Sequence, residues 1–68
     1  MTHPYKAGDL VRMRKSDKCD EGYWYTVCVV QSVDDWIYIR PFTTHMPIPP
    51  DGLWCVLPED LEMFDDQN

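Results

Sequence analysis

The feature that most constrains the fold is a run of β-branched and aromatic residues from 23 to 33, with the sequence YWYTVCVVQSV. Such residues are enriched in strands, so the run predicts the strongest strand of a sheet. One face would carry Tyr25, Val27 and Val29, and we expect it to point inward because it has the larger uninterrupted apolar content. The opposite face is also fairly apolar, and a slip of one residue would exchange the two.

Strand signals also flank this run. Val11 and Met13 alternate with Arg12 and Arg14, a pattern with period two that predicts a half-buried strand. After the run, Asp34 and Asp35 predict a turn, and residues 36–40 predict a returning strand that ends at Pro41. In that strand Ile37 and Ile39 should point inward, which leaves an aromatic and cationic outer stripe of Trp36, Tyr38 and Arg40.

The last third of the chain predicts shorter elements. Residues 42–52 contain three prolines and end in Pro-Asp-Gly, so we expect a stiff loop. Residues 53–56 predict a fourth strand and residues 62–64 a fifth. Between them, Pro58 followed by two acids predicts one helical or 3-10 turn. The chain is therefore predicted to be all-β: one domain over 1–68, folded as a five-stranded barrel, with an ordered core over about 5–64 and an acidic tail at 65–68.

The order of these signals resembles the SH3-like barrel group that includes Tudor and KOW modules. Residues 8–13 (GDLVRM) resemble the opening Gly-Asp-x-Val-x-Val of such barrels, residues 24–29 resemble a Tudor second strand, and residues 54–61 resemble the closing strand and helical turn. The likeness implies an SH3-like fold. Tudor domains that bind methylated ligands usually have Asp-Tyr-Gly after the third strand, and residues 41–43 (PFT) replace it here. We therefore do not expect a methyl-ligand function.

The charge is distributed unevenly along the chain. The net charge is -6, but residues 1–18 hold five cations and two acids, whereas residues 19–68 hold one cation and ten acids. The two parts therefore carry +3 and -9. An acidic protein repels polyphosphate at long range, so this balance disfavours nucleic acid as the main ligand.

Cysteine use and hydropathy bear on the compartment. No apolar run approaches the roughly 20 residues that cross a bilayer, and the N-terminus lacks the apolar core of a signal peptide, so we expect a cytoplasmic protein without membrane contact. Cys19, Cys28 and Cys55 are odd in number and widely spaced, which favours free thiols. Cys28 and Cys55 fall within predicted strands, where we expect buried, inert side chains.

The sequence offers little chemistry for catalysis. It has no glycine-rich phosphate loop, no nucleophile elbow and no His-Glu-x-x-His motif. A cysteine with His45 is the one imaginable nucleophile and base, and the spacing of these residues does not match a zinc knuckle. We therefore expect no enzyme activity, no cofactor and no metal.

Two binding functions remain open. The first is a non-enzymatic protein-binding module, which at this size could be a phage or mobile-element protein that inhibits or modulates a host protein. The second is a nucleic-acid-associated SH3-like module, for which the predicted contact residues are Arg12, Arg14, Lys15, Tyr38 and Arg40. A monomer and a homodimer are both compatible with the sequence, and the Pro-x-x-Pro at 47–50 fits either a rigid loop or a docking motif. The residues predicted to contact a partner are Trp24, Trp36, Tyr38, Arg40, Arg12, Arg14, Asp34 and Asp35.

Overall fold

A computed structural model describes residues 5–64 of the chain, and these form one antiparallel sheet of five strands. The predicted acidic tail at 65–68 lies outside the described residues. Neighbouring strands in the sheet follow the order β4-β3-β2-β1-β5. The strands are β1 (Leu10–Met13), β2 (Val27–Val33), β3 (Ile37–Pro41), β4 (Trp54–Val56) and β5 (Leu61–Met63), with 3-10 turns at Glu21–Tyr23 and Pro58–Asp60.

The all-β class and the 3-10 turn before the last strand are confirmed, but the predicted barrel is not closed. β4 and β5 are the two edge strands, with three residues each, and no hydrogen-bonded ladder joins them. They follow each other through the 3-10 turn at Pro58–Asp60, and this connection carries the chain from one edge of the sheet to the other. The resulting five-stranded antiparallel sheet is consistent with an SH3-like fold.

The prediction for the inward face of β2 was wrong. Cys28 and Val30 are buried, whereas Val27 and Val29 are only half-buried. Residues paired across strands share a face, and Cys28 lies opposite the buried Val11. The core comprises Val11, Met13, Cys28, Val30, Ile37, Ile39, Trp54, Val56 and Leu61.

The first residues of the predicted second strand form turns instead. Tyr23 ends a 3-10 turn, and β2 begins only at Val27. Thr26 donates both its backbone N–H and its hydroxyl to the carbonyl oxygen of Tyr23, at 3.4 and 2.8 Å, which folds the segment back on itself. Tyr25 consequently has a φ of 64°, a left-handed conformation that is uncommon for a bulky residue.

Pro41 fits in β3 because of the direction of its backbone. The N–H of Phe42 donates to the carbonyl oxygen of Val27 on β2 at 3.1 Å. Successive residues of a strand point their backbone groups to opposite sides, so the nitrogen of Pro41 points away from β2. The missing N–H of Pro41 therefore removes no hydrogen bond from the ladder between β2 and β3.

Candidate functional site

The sheet exposes apolar side chains on the side opposite the core. We call this surface the outer face and define it by Leu10, Arg12, Tyr25, Val27, Val29, Arg40 and Phe42. Leu10, Tyr25 and Phe42 are 38, 54 and 60% exposed. Register places the strand residues together, because Val27 lies opposite Arg12, and Val29 lies opposite both Leu10 and Arg40. Tyr25 contacts Arg12 through its ring, and the N–H of Phe42 donates to the carbonyl oxygen of Val27. The apolar character that misled the sequence assignment of β2 therefore belongs to an exposed surface.

Arg12 lies at one side of the outer face with its charge compensated. Its Nε donates to Oε2 of Glu62 at 2.7 Å, and its Nη2 lies 2.6 Å from the same oxygen. The guanidinium carbon is also 5.6 Å from the centre of the Tyr25 ring, a distance typical of a cation–π contact. Arg12 is therefore held by two neighbours from other segments of the chain.

Arg40 has a different environment on β3, at the opposite side of the outer face from Arg12. It is exposed, and it makes no ion pair within residues 5–64. Its Nη1 lies 3.1 Å from the point where a side chain at Gly52 would begin, so the guanidinium lies across the backbone there. Gly52 has a φ of 79°, and its lack of a side chain leaves the space that Arg40 occupies.

Four of the predicted contact residues meet at the hairpin between β2 and β3. Asp34, Asp35 and Trp36 form the turn, where the N–H of Asp34 donates to the carbonyl oxygen of Trp36 at 2.9 Å. Tyr38 follows on β3, opposite Cys55. Partial burial, with smaller contributions from Cys55 and Asp34, raises the pKa of Tyr38 above its usual value. The hairpin therefore brings two acids to one end of the sheet, and Tyr38 lies on the same side of the sheet as Arg40.

Other predicted contact residues lie away from this hairpin. Trp24 donates from Nε1 to the carbonyl oxygen of Ser16 at 3.0 Å, and Nζ of Lys15 is 5.4 Å from the Trp24 ring centre. The seven residues of β2 separate Trp24 from Trp36, a span of about 23 Å at the usual rise of a strand.

The cations near the N-terminal end of the described chain are partly compensated by acids. Lys18 pairs with Glu59 at 3.0 Å, and Arg12 pairs with Glu62. Arg14 lies just beyond the end of β1, where its N–H donates to the carbonyl oxygen of Asp60.

A cleft of about 510 Å³, which the sequence pattern did not predict, lies along the β4 edge. Tyr23 and Trp54 contact each other edge to face inside it, with ring centres 5.0 Å apart and planes at 75°. The indole N–H of Trp54 donates to the carbonyl oxygen of Pro47 at 3.1 Å and so fixes the loop before β4. The cleft is lined by Met13, Lys18, Cys19, Tyr23, Tyr38, Pro49, Asp51, Leu53, Trp54, Cys55, Val56, Leu57 and Asp60.

Each edge of the sheet has backbone groups that are already occupied by hydrogen bonds. Beside β4, the outward amides of Leu53 and Leu57 already donate to the carboxylates of Asp51 and Asp60, at 3.1 and 3.2 Å. On β5, the N–H of Leu61 donates to the Pro58 carbonyl oxygen, and the Leu61 carbonyl oxygen accepts from the Tyr5 hydroxyl at 3.0 Å. Such protection of edge strands disfavours recognition by strand addition. The outer face is therefore a stronger candidate for recognition than the sheet edges.

The three cysteines are free, but their environments differ. Cys28 is buried, as predicted, and burial raises the pKa of its thiol to about 12. Cys55 is exposed, so the prediction that it is buried was wrong. The reason is the alternation of β4, in which Trp54 and Val56 point inward and Cys55 points outward.

We expect the thiols to react in the order of their exposure. Cys55 should be alkylated by iodoacetamide first, and Cys28 should react only when the protein unfolds, because the thiolate is the reactive form. Mass spectrometry of tryptic peptides after timed labelling measures the order. Labelling of Cys28 in the native protein as fast as Cys55 would contradict the assignment of the core.

Cys28 should also make stability depend on pH in the alkaline range. In the folded state the pKa of the Cys28 thiol is about 12, whereas an unperturbed cysteine thiol, as in the unfolded state, has a pKa of 9.0. The folded state therefore binds more protons between these values, and its stability should fall as the pH rises from 9 towards 12. Urea unfolding at pH 8 and pH 10.5 should show a smaller loss for Cys28→Ala than for the wild type. An equal loss in both proteins would contradict this cause.

Metal and membrane features are not found in the described part of the chain. Residues 5–64 bring no group of three or more histidine, cysteine, aspartate or glutamate side chains into a position to hold a metal ion. Over the same residues, no helix has the length and apolar character needed to cross a bilayer.

Comparison with known proteins gives no relative. No family model, no curated protein and no solved structure matches the chain.

Proposed function

We propose that this chain is a non-enzymatic protein-binding module that contacts its partner through the outer face. The observation that carries the proposal is the joint exposure of Leu10, Tyr25 and Phe42 on one side of the sheet. Aromatic residues are enriched at the centres of protein interfaces, and Tyr25 and Phe42 supply two exposed aromatic rings here. Val27 and Val29 lie between these residues and extend the apolar surface.

We also propose an SH3-like fold of the Tudor and KOW type for the module. The strand order β4-β3-β2-β1-β5 and the 3-10 turn between β4 and β5 support this placement. The three free cysteines support a reducing, cytoplasmic location. A phage or mobile-element protein that inhibits or modulates a host protein is the biological role that we propose for a domain of this size and acidity.

The nucleic-acid alternative receives less support from the cations. Arg12 and Lys18 each have a carboxylate partner, and Lys15 lies over the Trp24 ring. A cation that already pairs with an acid neutralises a phosphate less effectively, because it must first give up that partner. A nucleic-acid module would still show a steep loss of binding with salt, and we expect a shallow dependence.

Affinity capture from a lysate of the source organism tests the proposed function. The wild type is compared with Phe42→Ser and with Ile48→Ser, a matched control because Ile48 is 47% exposed and lies in the loop before β4. We expect one nuclease-resistant protein at near-stoichiometric yield with the wild type and Ile48→Ser, and its loss with Phe42→Ser. Recovery of nucleoprotein that disappears with nuclease would favour the alternative, and a yield unaffected by Phe42→Ser would remove the outer face.

A further inference from the structure

We infer that the outer face binds a short apolar segment of the partner protein, and that one carboxylate of this segment pairs with Arg40. The inference rests on the proposed function and adds the chemistry of the ligand to it. It follows from the charges on the face, from the position of Arg40, from the size of the apolar surface and from the state of the sheet edges.

The charges on the outer face leave one cation uncompensated. Arg12 is neutralised by Glu62, whereas Arg40 has no ion pair within the described residues. A guanidinium matches a carboxylate with two parallel hydrogen bonds, and such charge-assisted bonds are stronger than neutral ones. A carboxylate is therefore the complementary group at this position.

The neighbours of Arg40 make the pairing selective for an apolar ligand. Val29 lies directly opposite Arg40 on β2, and Phe42 lies two residues further along the chain. A ligand that covers these side chains removes water from the guanidinium, and ion pairs strengthen as the local dielectric constant falls. The absence of a side chain at Gly52 leaves room for the guanidinium above the backbone.

The size of the apolar surface favours a short segment over a second copy of this chain. Three neighbouring strands about 4.8 Å apart, and outward side chains about 7 Å apart along each, give a surface on the order of 150 to 200 Å². A stable protein interface buries about 800 Å² on each partner, several times more. Two copies would also each bring a net charge of -6, and like charges repel.

The occupied backbone groups at the sheet edges disfavour docking of the segment as an added strand. Caps on Leu53, Leu57 and Leu61 occupy backbone groups that an added strand would need. The segment therefore lies on the outer face and is recognised through side chains.

Selection from a displayed library of random peptides tests the inference. Peptides of about twelve residues are long enough to cross the sheet in extended form. The targets are the wild type, Arg40→Gln, Arg40→Glu, Phe42→Ser and the control Ile48→Ser.

We expect the peptides selected on the wild type to combine apolar residues with an aspartate or glutamate and to bind Ile48→Ser equally well. Their affinity for Arg40→Gln should fall roughly 10- to 100-fold, as expected for the loss of a charge-assisted hydrogen bond. Arg40→Glu should select lysine or arginine in place of the acid.

The possible failures separate the inference from the proposed function. Peptides that bind Arg40→Gln as tightly as the wild type, yet lose binding to Phe42→Ser, would overturn the carboxylate pairing and leave the binding face intact. Peptides that ignore both substitutions would overturn the face as well. An absence of enrichment over Phe42→Ser would overturn a short segment as the ligand. A wild-type dimer in light scattering that Phe42→Ser dissociates would replace that ligand by a second copy.

Discussion

Val30→Asp is expected to unfold the chain at 25 °C, whereas Val29→Asp should leave it folded. The side chain of Val30 is buried in the core, and that of its neighbour Val29 points to the outer face. A buried carboxylate without a partner costs several kcal/mol, even after its pKa shifts to favour the neutral form. A single core in a chain of this size rarely supplies more than about 3 to 5 kcal/mol, so that cost is enough to abolish folding.

Circular dichroism and thermal unfolding of the two variants measure this difference. Val29→Asp should keep the wild-type spectrum and a cooperative transition, and Val30→Asp should show neither. A folded Val30→Asp together with an unfolded Val29→Asp would reverse the assignment of the two faces of β2. That result would also bury the surface on which the proposed function depends.

Trp54→Ala should be the second most damaging substitution, with a loss of about 3 to 5 kcal/mol of unfolding free energy. Trp54 is buried at the β4 edge, contacts Tyr23 edge to face, and donates a hydrogen bond to Pro47. Removing the indole leaves a cavity beside the aromatic ring of Tyr23 and frees the loop before β4. The exposed Trp36 is the matched control, and Trp36→Ala should cost less than about 1 kcal/mol.

Urea unfolding monitored by circular dichroism gives both free energies. Trp54→Phe separates the two contributions of the side chain, because phenylalanine keeps an aromatic ring and removes the hydrogen bond to Pro47. We expect Trp54→Phe to lie between the wild type and Trp54→Ala. Equal losses for Trp54→Ala and Trp36→Ala would contradict the place of Trp54 in the core.

The sequence predicted the elements whose two faces differ clearly in polarity. In β1 the buried Val11 and Met13 alternate with arginines, and in β3 the buried Ile37 and Ile39 alternate with Tyr38 and Arg40. Solvation of the polar face decides the orientation of such strands, so the pattern alone is sufficient.

β2 shows where this reasoning fails. Both of its faces are apolar, so the inward face is chosen by pairing with β1 and β3, which depends on tertiary contacts. Local hydrogen bonding to the Tyr23 carbonyl oxygen, which shortened the strand, is equally hidden from the pattern of residue types. The exposure of Cys55 follows from the short β4, whose two flanking residues both point into the core.

The candidate site was predictable only in part. Alternation around Ile37 and Ile39 correctly placed Trp36, Tyr38 and Arg40 away from the core. The pairing of Arg12 with Glu62 joins residues 50 positions apart, and a sequence pattern carries no information on such a contact. Leu10 and Phe42 were not predicted as surface anchors, since an apolar residue beside a strand is more often expected inside.

Capture of the partner by Val29→Asp tests the central claim most directly, because this substitution places a charge in the middle of the outer face without entering the core. Ile48→Asp is the control, with the same change of charge at an exposed apolar residue in the loop before β4. Both variants are first shown to be folded by circular dichroism. Our account predicts that Ile48→Asp retains the partner at the wild-type yield and that Val29→Asp loses it. Retention of the partner by folded Val29→Asp at the wild-type yield would contradict the outer face as the binding surface.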